Sequence, residues 1–256
     1  MKIHNTAIVD PAASIGENVT VGPYAVIGKN VVIGDNCKIH SHAVLDGNTT
    51  FGPGCEIYPH ASIGLQCQDL KYHGETTYVK IGANTVIREC VTINSATEEE
   101  GETVIGDNCF LMAYSHVAHN CVVGNGVIMA NCVSLAGHIT IGEKAILGGL
   151  AAVHQFVHIG AMAMVGGLSK VSQDVPPYAL SDGQPCTVRD INAVGLKRNG
   201  VNSEDRLIIR RAFKILFKSG LNTKHALERV QQELPTTPYI ETLINFIQNS
   251  KRGIGR

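Results

Sequence analysis

The sequence predicts a mainly β protein: a left-handed parallel β-helix of hexapeptide repeats, wound as a triangular prism and followed by a C-terminal α-helical domain. Three observations lead there. An aliphatic residue returns at every sixth position, a small residue precedes it by two, and near residue 186 this pattern gives way to helical periodicity.

In steps of six from Ile3 to Val171, 26 of 29 positions are apolar, and only Asp69, Glu75 and Glu99 break the phase. A helix repeats at 3.6 residues and an ordinary strand at 2; six is the hexapeptide rule of a β-helix. The slot two residues earlier is small, as at Ala7, Ala25, Ala43, Ala61, Ser115, Ala145 and Ala163. Gly often follows the aliphatic residue, as at Gly16, Gly34, Gly106, Gly124 and Gly142. That placement predicts a corner at which Gly adopts unusual dihedrals. Three hexads make one coil of 18 residues, and coils stack about 4.8 Å apart through strand hydrogen bonds. Five of the eight cysteines, Cys37, Cys55, Cys67, Cys109 and Cys121, occupy the small slot and read as apolar filler. Cys90, Cys132 and Cys186 lie elsewhere and form no ligand set.

Two excursions interrupt the prism, residues 66–78 ("QCQDLKYHGETTY") and 96–102 ("ATEEEGE"), and the phase resumes after each. They read as loops leaving a rigid scaffold, where function concentrates; "EEEGE" reads as a solvated tip. The predicted domains are 1–186, the prism, and 187–256, the helical domain. Pro176 and Pro177 end the coils. Ser203 is the expected N-cap of "SEDRLIIRRAFKILFKSG", with Glu204 and Asp205 in the first turn and Gly220 as the stop. Leu207, Ile208, Arg211, Ile215 and Phe217 are expected to border its amphipathic face. "TKHALERVQQEL" and "PYIETLINFIQNS" predict two more helices, and the whole domain is expected to cap the last coils.

Charge divides along the same boundary. Residues 1–186 hold 8 Lys+Arg against 16 Asp+Glu, a net of −8; residues 187–256 hold 13 against 6, a net of +7. A basic tail on an acidic body fits a docking face for an acidic partner. It fits equally a solvated face on which Lys and Arg serve as good helix formers. Basic residues are not interleaved with aromatics, so nothing points to nucleic acid. There is no run of eighteen apolar residues and no apolar core in "MKIHNTAIVDPAA", so neither stable membrane insertion nor a signal peptide is expected, and the location reads as cytoplasmic.

The stretch "SHVAHNCVVGNGVIMANCVSLAGHITIGEKA" holds His116, His119 and His138. Stacking at 18 residues puts His119 under Gly137 and Gln155, Asn120 under His138 and Phe156, and Ala118 under Ala136 and His154. His119, Gly137, His138, His154 and Gln155 then gather at one edge, within roughly 10 Å. Singly, each histidine reads as a corner residue bonded to backbone; together they read as a site. Zinc on three histidines, as in prism-shaped carbonic anhydrases, is the rival. It requires converging ligands at about 2.0–2.1 Å, whereas His116 and His119 are three apart on an extended coil and point apart. His42 and His60 also stack, without such surroundings, and read as structural.

The motifs "QDLKY", "SHVAHNC", "LAGH", "AVHQF", "MVGG" followed by "QDVPPY", and "GLKR", set in order on the hexapeptide body, closely resemble the UDP-N-acetylglucosamine acyltransferases, the first enzymes of lipid A synthesis. The resemblance covers essentially the whole chain. It implies a homotrimer with active sites in grooves between subunits, moving an R-3-hydroxyacyl chain from acyl carrier protein to the 3-position of UDP-N-acetylglucosamine. His119 falls on the family's general base, and the Gly137 N–H on the oxyanion donor. Asp69 and Lys71 fall on sugar contacts, and His116, His138, His154 and Gln155 on the lining of the sugar and acyl site. Asn192 and Arg198 fall on the nucleotide end. Gly167 falls on the acyl-chain ruler, and its missing side chain implies a long acyl chain. The basic tail would meet the acidic carrier protein, whose thioester is the donor; no metal or other cofactor is implied.

The chain departs from the family at several places. Asn120 stands where Asp is common, Val194 and Asn199 replace Glu and Arg, and Asn94 and Ser95 replace His and Arg near the sugar. That changed lining raises a second acceptor, the 3-amine of a UDP-2,3-diamino sugar. A hexapeptide body is compatible as well with the N-acyltransferase of the pathway's next acylation, with a coenzyme A acetyltransferase, and with a non-enzymatic solenoid scaffold.

Overall fold

The computed structural model describes residues 2–256 and has the architecture the hexads predict. Three parallel sheets, of 11, 9 and 8 strands, form the faces of a prism. Most strands are only two residues long, such as Thr20–Val21 and Val26–Ile27. In each, the hexad residue points inward: Ile27, Ile57, Leu111 and Leu147 are at most 1% exposed. Each such side chain contributes about 1.5–3 kcal/mol through burial. The small slot is buried beside them, Cys37, Cys55 and Cys121 at 0%.

The corner chemistry differs from the expectation. Gly16, Gly34, Gly106, Gly124 and Gly142, which follow aliphatic residues, have ordinary dihedrals; they are there because the next coil passes too close. A Cβ on Gly142 would lie 2.4 Å from the Ala161 nitrogen, and one on Gly124 2.8 Å from the Glu143 nitrogen. The left-handed residue comes two places later, at φ 54–69°, and is Asn at positions 18, 36, 84, 108 and 120. Asn tolerates this region because its short polar side chain bonds locally.

Coils stack at 18 residues through Val44↔Ser62. Across the first excursion the pairing becomes Ser62↔Thr92, and across the second Thr92↔His116. The insertions therefore amount to two hexads and one, which is why the phase survives them. Stacking at 18 resumes with His116↔Ser134.

Past the prolines the chain keeps more β structure than the helical reading allowed. Ala179–Asp182 extends the first sheet in parallel, and Thr187–Ile191 pairs antiparallel to it. Four helices follow: α1 Ala193–Arg198, α2 Ser203–Lys218, α3 Thr223–Glu233 and α4 Pro238–Asn249. The short α1 was not expected. The N-cap of α2 is Asn202 rather than Ser203, its Oδ1 accepting from the Asp205 N–H at 2.8 Å. Its buried face is Ile209, Ala212, Phe213, Ile215 and Leu216, while Leu207 is 52% exposed, so the expected stripe was rotated. The helical end does cap the coils: Tyr178 meets Tyr239 of α4 edge-on at 5.7 Å, and Ser250 Oγ donates to the buried Asp174 at 2.6 Å.

Candidate active site

The corner between the second and third sheets carries residues 119–120, 137–138 and 155–156 on successive coils. The His138 N–H donates to the His119 carbonyl at 3.0 Å, and the Phe156 N–H to the Gly137 carbonyl at 3.1 Å. The rings follow the backbone. His138 meets His119 edge-on at 5.1 Å and stacks on Phe156 at 4.8 Å.

His119 lies flat against Gly137. A Cβ on Gly137 would fall 2.2 Å from His119 Cε1 and 2.5 Å from Nε2, so only glycine leaves room for the imidazole. At three other corners the equivalent N–H is taken by a side chain one coil on: Glu17 N–H by Asp35, Ala83 N–H by Asp107 and Asp107 N–H by Asn125. Gln155 holds that place above Gly137, yet no protein group among the described residues accepts from the Gly137 N–H. A donor is thus left available beside the imidazole.

Asn120 Oδ1 lies 2.9 Å from His119 Nδ1 and accepts from the Thr97 backbone N–H at 3.2 Å. A backbone N–H only donates, so the facing amide atom is the oxygen, and His119 Nδ1 carries the proton. Nε2 keeps its lone pair and faces Asp69 Oδ2 at 3.8 Å. The amide that replaces the family's carboxylate therefore still orients the ring. Asp69 is itself held by the Lys71 N–H, which donates to Oδ1 at 2.9 Å; the Lys71 side chain is exposed.

His116 is half-buried and hydrogen-bonded through Nδ1 to Thr92 Oγ1 at 2.7 Å. Burial pushes its pKa down, and the nearby His119 adds to this. His138 is lowered for the same two reasons, with Glu98 and Asp69 opposing. Both imidazoles are thereby kept neutral around neutral pH. His154 and Gln155 are exposed on the coil above, His154 Nδ1 bonding to the Gln155 carbonyl at 3.1 Å.

The remaining predicted residues lie elsewhere on the chain. Gly167 sits at the corner between the first and second sheets, a different edge of the prism. Asn192 is the N-cap of α1; its Oδ1 accepts from Gly195 N–H and its Nδ2 donates to the Met162 carbonyl, each at 2.9 Å. Arg198 is exposed at the end of α1. Sequence reasoning missed Thr97. Its place beside Asn120 follows only when the 24-residue offset of the second excursion replaces 18.

The hexapeptide-repeat model of bacterial transferases matches residues 12–47 and 102–137. The model described as domain 2 of UDP N-acetylglucosamine O-acyltransferase matches residues 174–255. The acyl-[acyl-carrier-protein]--UDP-N-acetylglucosamine O-acyltransferase of Thermodesulfovibrio yellowstonii is 49% identical over 100% of this chain and 99% of its own length. The same-named protein of Trichlorobacter lovleyi is 54% identical over 100% of both. Among solved structures, LpxA of Acinetobacter baumannii superposes with TM-score 0.96 at 42% identity, covering 100% of both chains. The UDP-N-acetylglucosamine acyltransferase of Bacteroides fragilis also reaches 0.96, at 43% identity over 99% of each. Full-length identity at this level, on a shared fold, means that the chain belongs to the UDP-N-acetylglucosamine O-acyltransferase family.

Proposed function

We propose that the protein transfers an R-3-hydroxyacyl group from acyl carrier protein to the 3-hydroxyl of UDP-N-acetylglucosamine, the first step of lipid A synthesis, with His119 as general base. The observation that carries this reading is the imidazole of His119 lying against the backbone of Gly137, its Nδ1 tied to Asn120. Nε2 takes the proton from the sugar hydroxyl as the oxygen attacks the thioester carbonyl. The unoccupied Gly137 N–H stabilises the developing oxyanion. The protonated imidazole then returns its proton to the departing thiolate. The thioester is already activated, so this pair of groups needs no metal or further cofactor.

Asp69 and Lys71, on the excursion beside Nε2, bind the sugar. His116, His138, His154 and Gln155 line the groove between sugar and acyl chain, with His116 and His138 as neutral hydrogen-bonding groups. Asn192 and Arg198 serve the nucleotide. Since both polar ends of the Asn192 amide are engaged, its part is to shape the α1 entrance, and Arg198 supplies the charge. Gly167 ends the acyl groove. Because it sits on a different edge of the prism from His119, one protomer does not close the groove, and a homotrimer brings a second copy's edge alongside.

Acyl carrier protein docks on α2. Arg206, Arg210, Lys214 and Lys218 recur every four residues, and the last three line a cleft with Arg189 around Phe213 and Phe217. Such a ridge is complementary to an acidic helix. Among the described residues no helix is long and apolar enough to cross a membrane. The eight free cysteines fit a reducing cytoplasm.

Replacing His119 with Ala tests the reading. kcat/KM for acyl carrier protein and UDP-N-acetylglucosamine falls about 10²–10⁴-fold with the thermal transition retained. Activity within a few-fold of the parent removes His119 as base.

A further inference from the structure

We infer that the second excursion is a positioning arm for His119: Thr97 and Glu98 lock the Asn120 amide so that its oxygen takes the Nδ1 proton and leaves Nε2 as the reactive nitrogen. The inference rests on the reading of His119 as base and adds residues that lie outside the corner itself.

The arm holds Asn120 from both of its ends. On entry, the Thr97 N–H donates to Asn120 Oδ1 at 3.2 Å. On exit, the wholly buried Thr103 accepts the Asn120 N–H through Oγ1 at 2.9 Å. Thr97 Oγ1 lies 2.7 Å from Glu98 Oε2 and 3.0 Å from Asn120 Oδ1. It has one proton, and the carboxylate is the stronger acceptor. The Thr97 hydroxyl, and less strongly the Asn120 amide, hold the Glu98 carboxyl below its usual range. The Glu98 carboxylate takes the Thr97 hydroxyl proton at 2.7 Å, while the Thr97 N–H, a donor only, faces the oxygen of the Asn120 amide at 3.2 Å. Reversing the amide sets its NH₂ group against the Thr97 N–H, donor against donor.

The arm is anchored in turn to the first excursion. The Thr76 N–H donates to Glu99 Oε2, and the Glu100 N–H to the Thr76 carbonyl, each at 2.8 Å. The stretch that reads in sequence as a solvated acidic tip thus joins the loop bearing Asp69 to the corner bearing His119. The charged and titratable groups facing His119 are Asp69 across Nε2, His138 edge-on and His116 on the neighbouring strand, with Glu98 behind Asn120.

Without this arm a neutral imidazole in water prefers the proton on Nε2, the wrong nitrogen for a base at this edge. The arm acts through Asn120 and touches no substrate, so Thr97 and Glu98 are positioning residues. The experiment is a long-range ¹H–¹⁵N spectrum of full-length enzyme labelled at histidine, with His119 assigned by its loss in His119→Gln, run beside steady-state kinetics. The parent shows His119 as the Nδ1–H tautomer. Asn120→Gly deletes the amide while suiting the left-handed backbone there; it moves His119 toward Nε2–H and lowers kcat about 10-fold or more at little-changed KM. Glu98→Gln and Thr97→Val move the tautomer and kcat the same way by a few-fold, and Thr97→Ser restores both. A parent His119 found as Nε2–H overturns the inference. So does a loss of kcat in Glu98→Gln and Thr97→Val without a change of tautomer, or no change in either. A tautomer that shifts while turnover stays constant leaves the arm in place and removes His119 as base.

Discussion

Gly137→Ala separates catalysis from folding. The added methyl would stand 2.2 Å from His119 Cε1 and 2.9 Å from Nδ1. Ordinary carbon contact needs about 3.5 Å, so the imidazole withdraws by about 1.3 Å. It cannot do so and keep the 2.9 Å bond to Asn120. A base displaced by about 1 Å costs on the order of 10²-fold, equivalent to about 2.7 kcal/mol of barrier. Stability moves little. Losing the Nδ1 bond costs about 1 kcal/mol. The backbone of Gly137 is outside the left-handed region, so Ala is compatible with it and recovers about 0.4–1 kcal/mol from the unfolded chain. The expected outcome is kcat/KM reduced about 100-fold with the thermal midpoint shifted by only a few degrees. Steady-state kinetics and a melting curve on the same preparation check it. Turnover within a few-fold of the parent would show that the corner does not depend on contact between imidazole and glycine, and the mechanism built on that contact would fall.

Gly167→Met fills the proposed end of the acyl groove; a Cβ there meets only the Gly149 backbone, its oxygen at 3.1 Å, which must give by a few tenths of an ångström. Product mass spectrometry with mixed 3-hydroxyacyl carrier proteins should show a shift to shorter chains at similar total turnover; unchanged chain selection places the ruler elsewhere. Stability should fall on acidification. His116 and His138 have pKa values lowered by burial, so below about pH 6.5 the unfolded chain binds more protons than the native one. Their contribution is intact above that pH and declines as pH drops through it. His116→Gln should flatten the fall in melting temperature between pH 7.5 and 5.5, and an unaltered slope would assign the acid sensitivity to other groups. Of the eight thiols, Cys90 and Cys132 are half-buried and the rest buried, with burial pushing Cys121 up to about 12 and Cys186 to about 11. A thiol reagent should titrate at most those two in the native protein and all eight after denaturation.

The prism was legible because a period of six repeats one physical requirement, an aliphatic side chain turned into a narrow core, at 26 of 29 positions. Repetition makes such a signal robust to any single exception. The corners were legible in position and misread in cause. A glycine signals either a left-handed backbone or a close neighbour, and only coordinates distinguish the close pass of Ala161 behind Gly142 from the φ of Asn120. The β hairpin Ala179–Asp182 and Thr187–Ile191 was missed because it occurs once and follows prolines, so no period announces it. In α2, the stripe expected to border the amphipathic face, with Leu207 and Ile208, was rotated from the buried one, since an amphipathic helix of this composition offers two adjacent apolar stripes and the partner decides between them.

The site divides in the same way. His119, Gly137, His138 and Gln155 were brought together correctly because they lie where stacking runs at an unbroken 18. Thr97 and Glu98 were not, because the coil beneath His119 holds one extra hexad and shifts every vertical neighbour by six. An extra hexad costs the prism nothing in phase, since its core positions fall into register again. The freedom to insert hexads is therefore freedom to place new side chains against an existing corner without repacking the core. In this chain both insertions open on the edge that carries His119, one bringing Asp69 to Nε2 and the other bringing Thr97 and Glu98 behind Nδ1. The two nitrogens of one imidazole are thus addressed by two separate loops, while the ring is seated by a glycine of the regular repeat. The proton acceptance proposed for Nε2 then depends on three elements that the hexad pattern leaves free to vary.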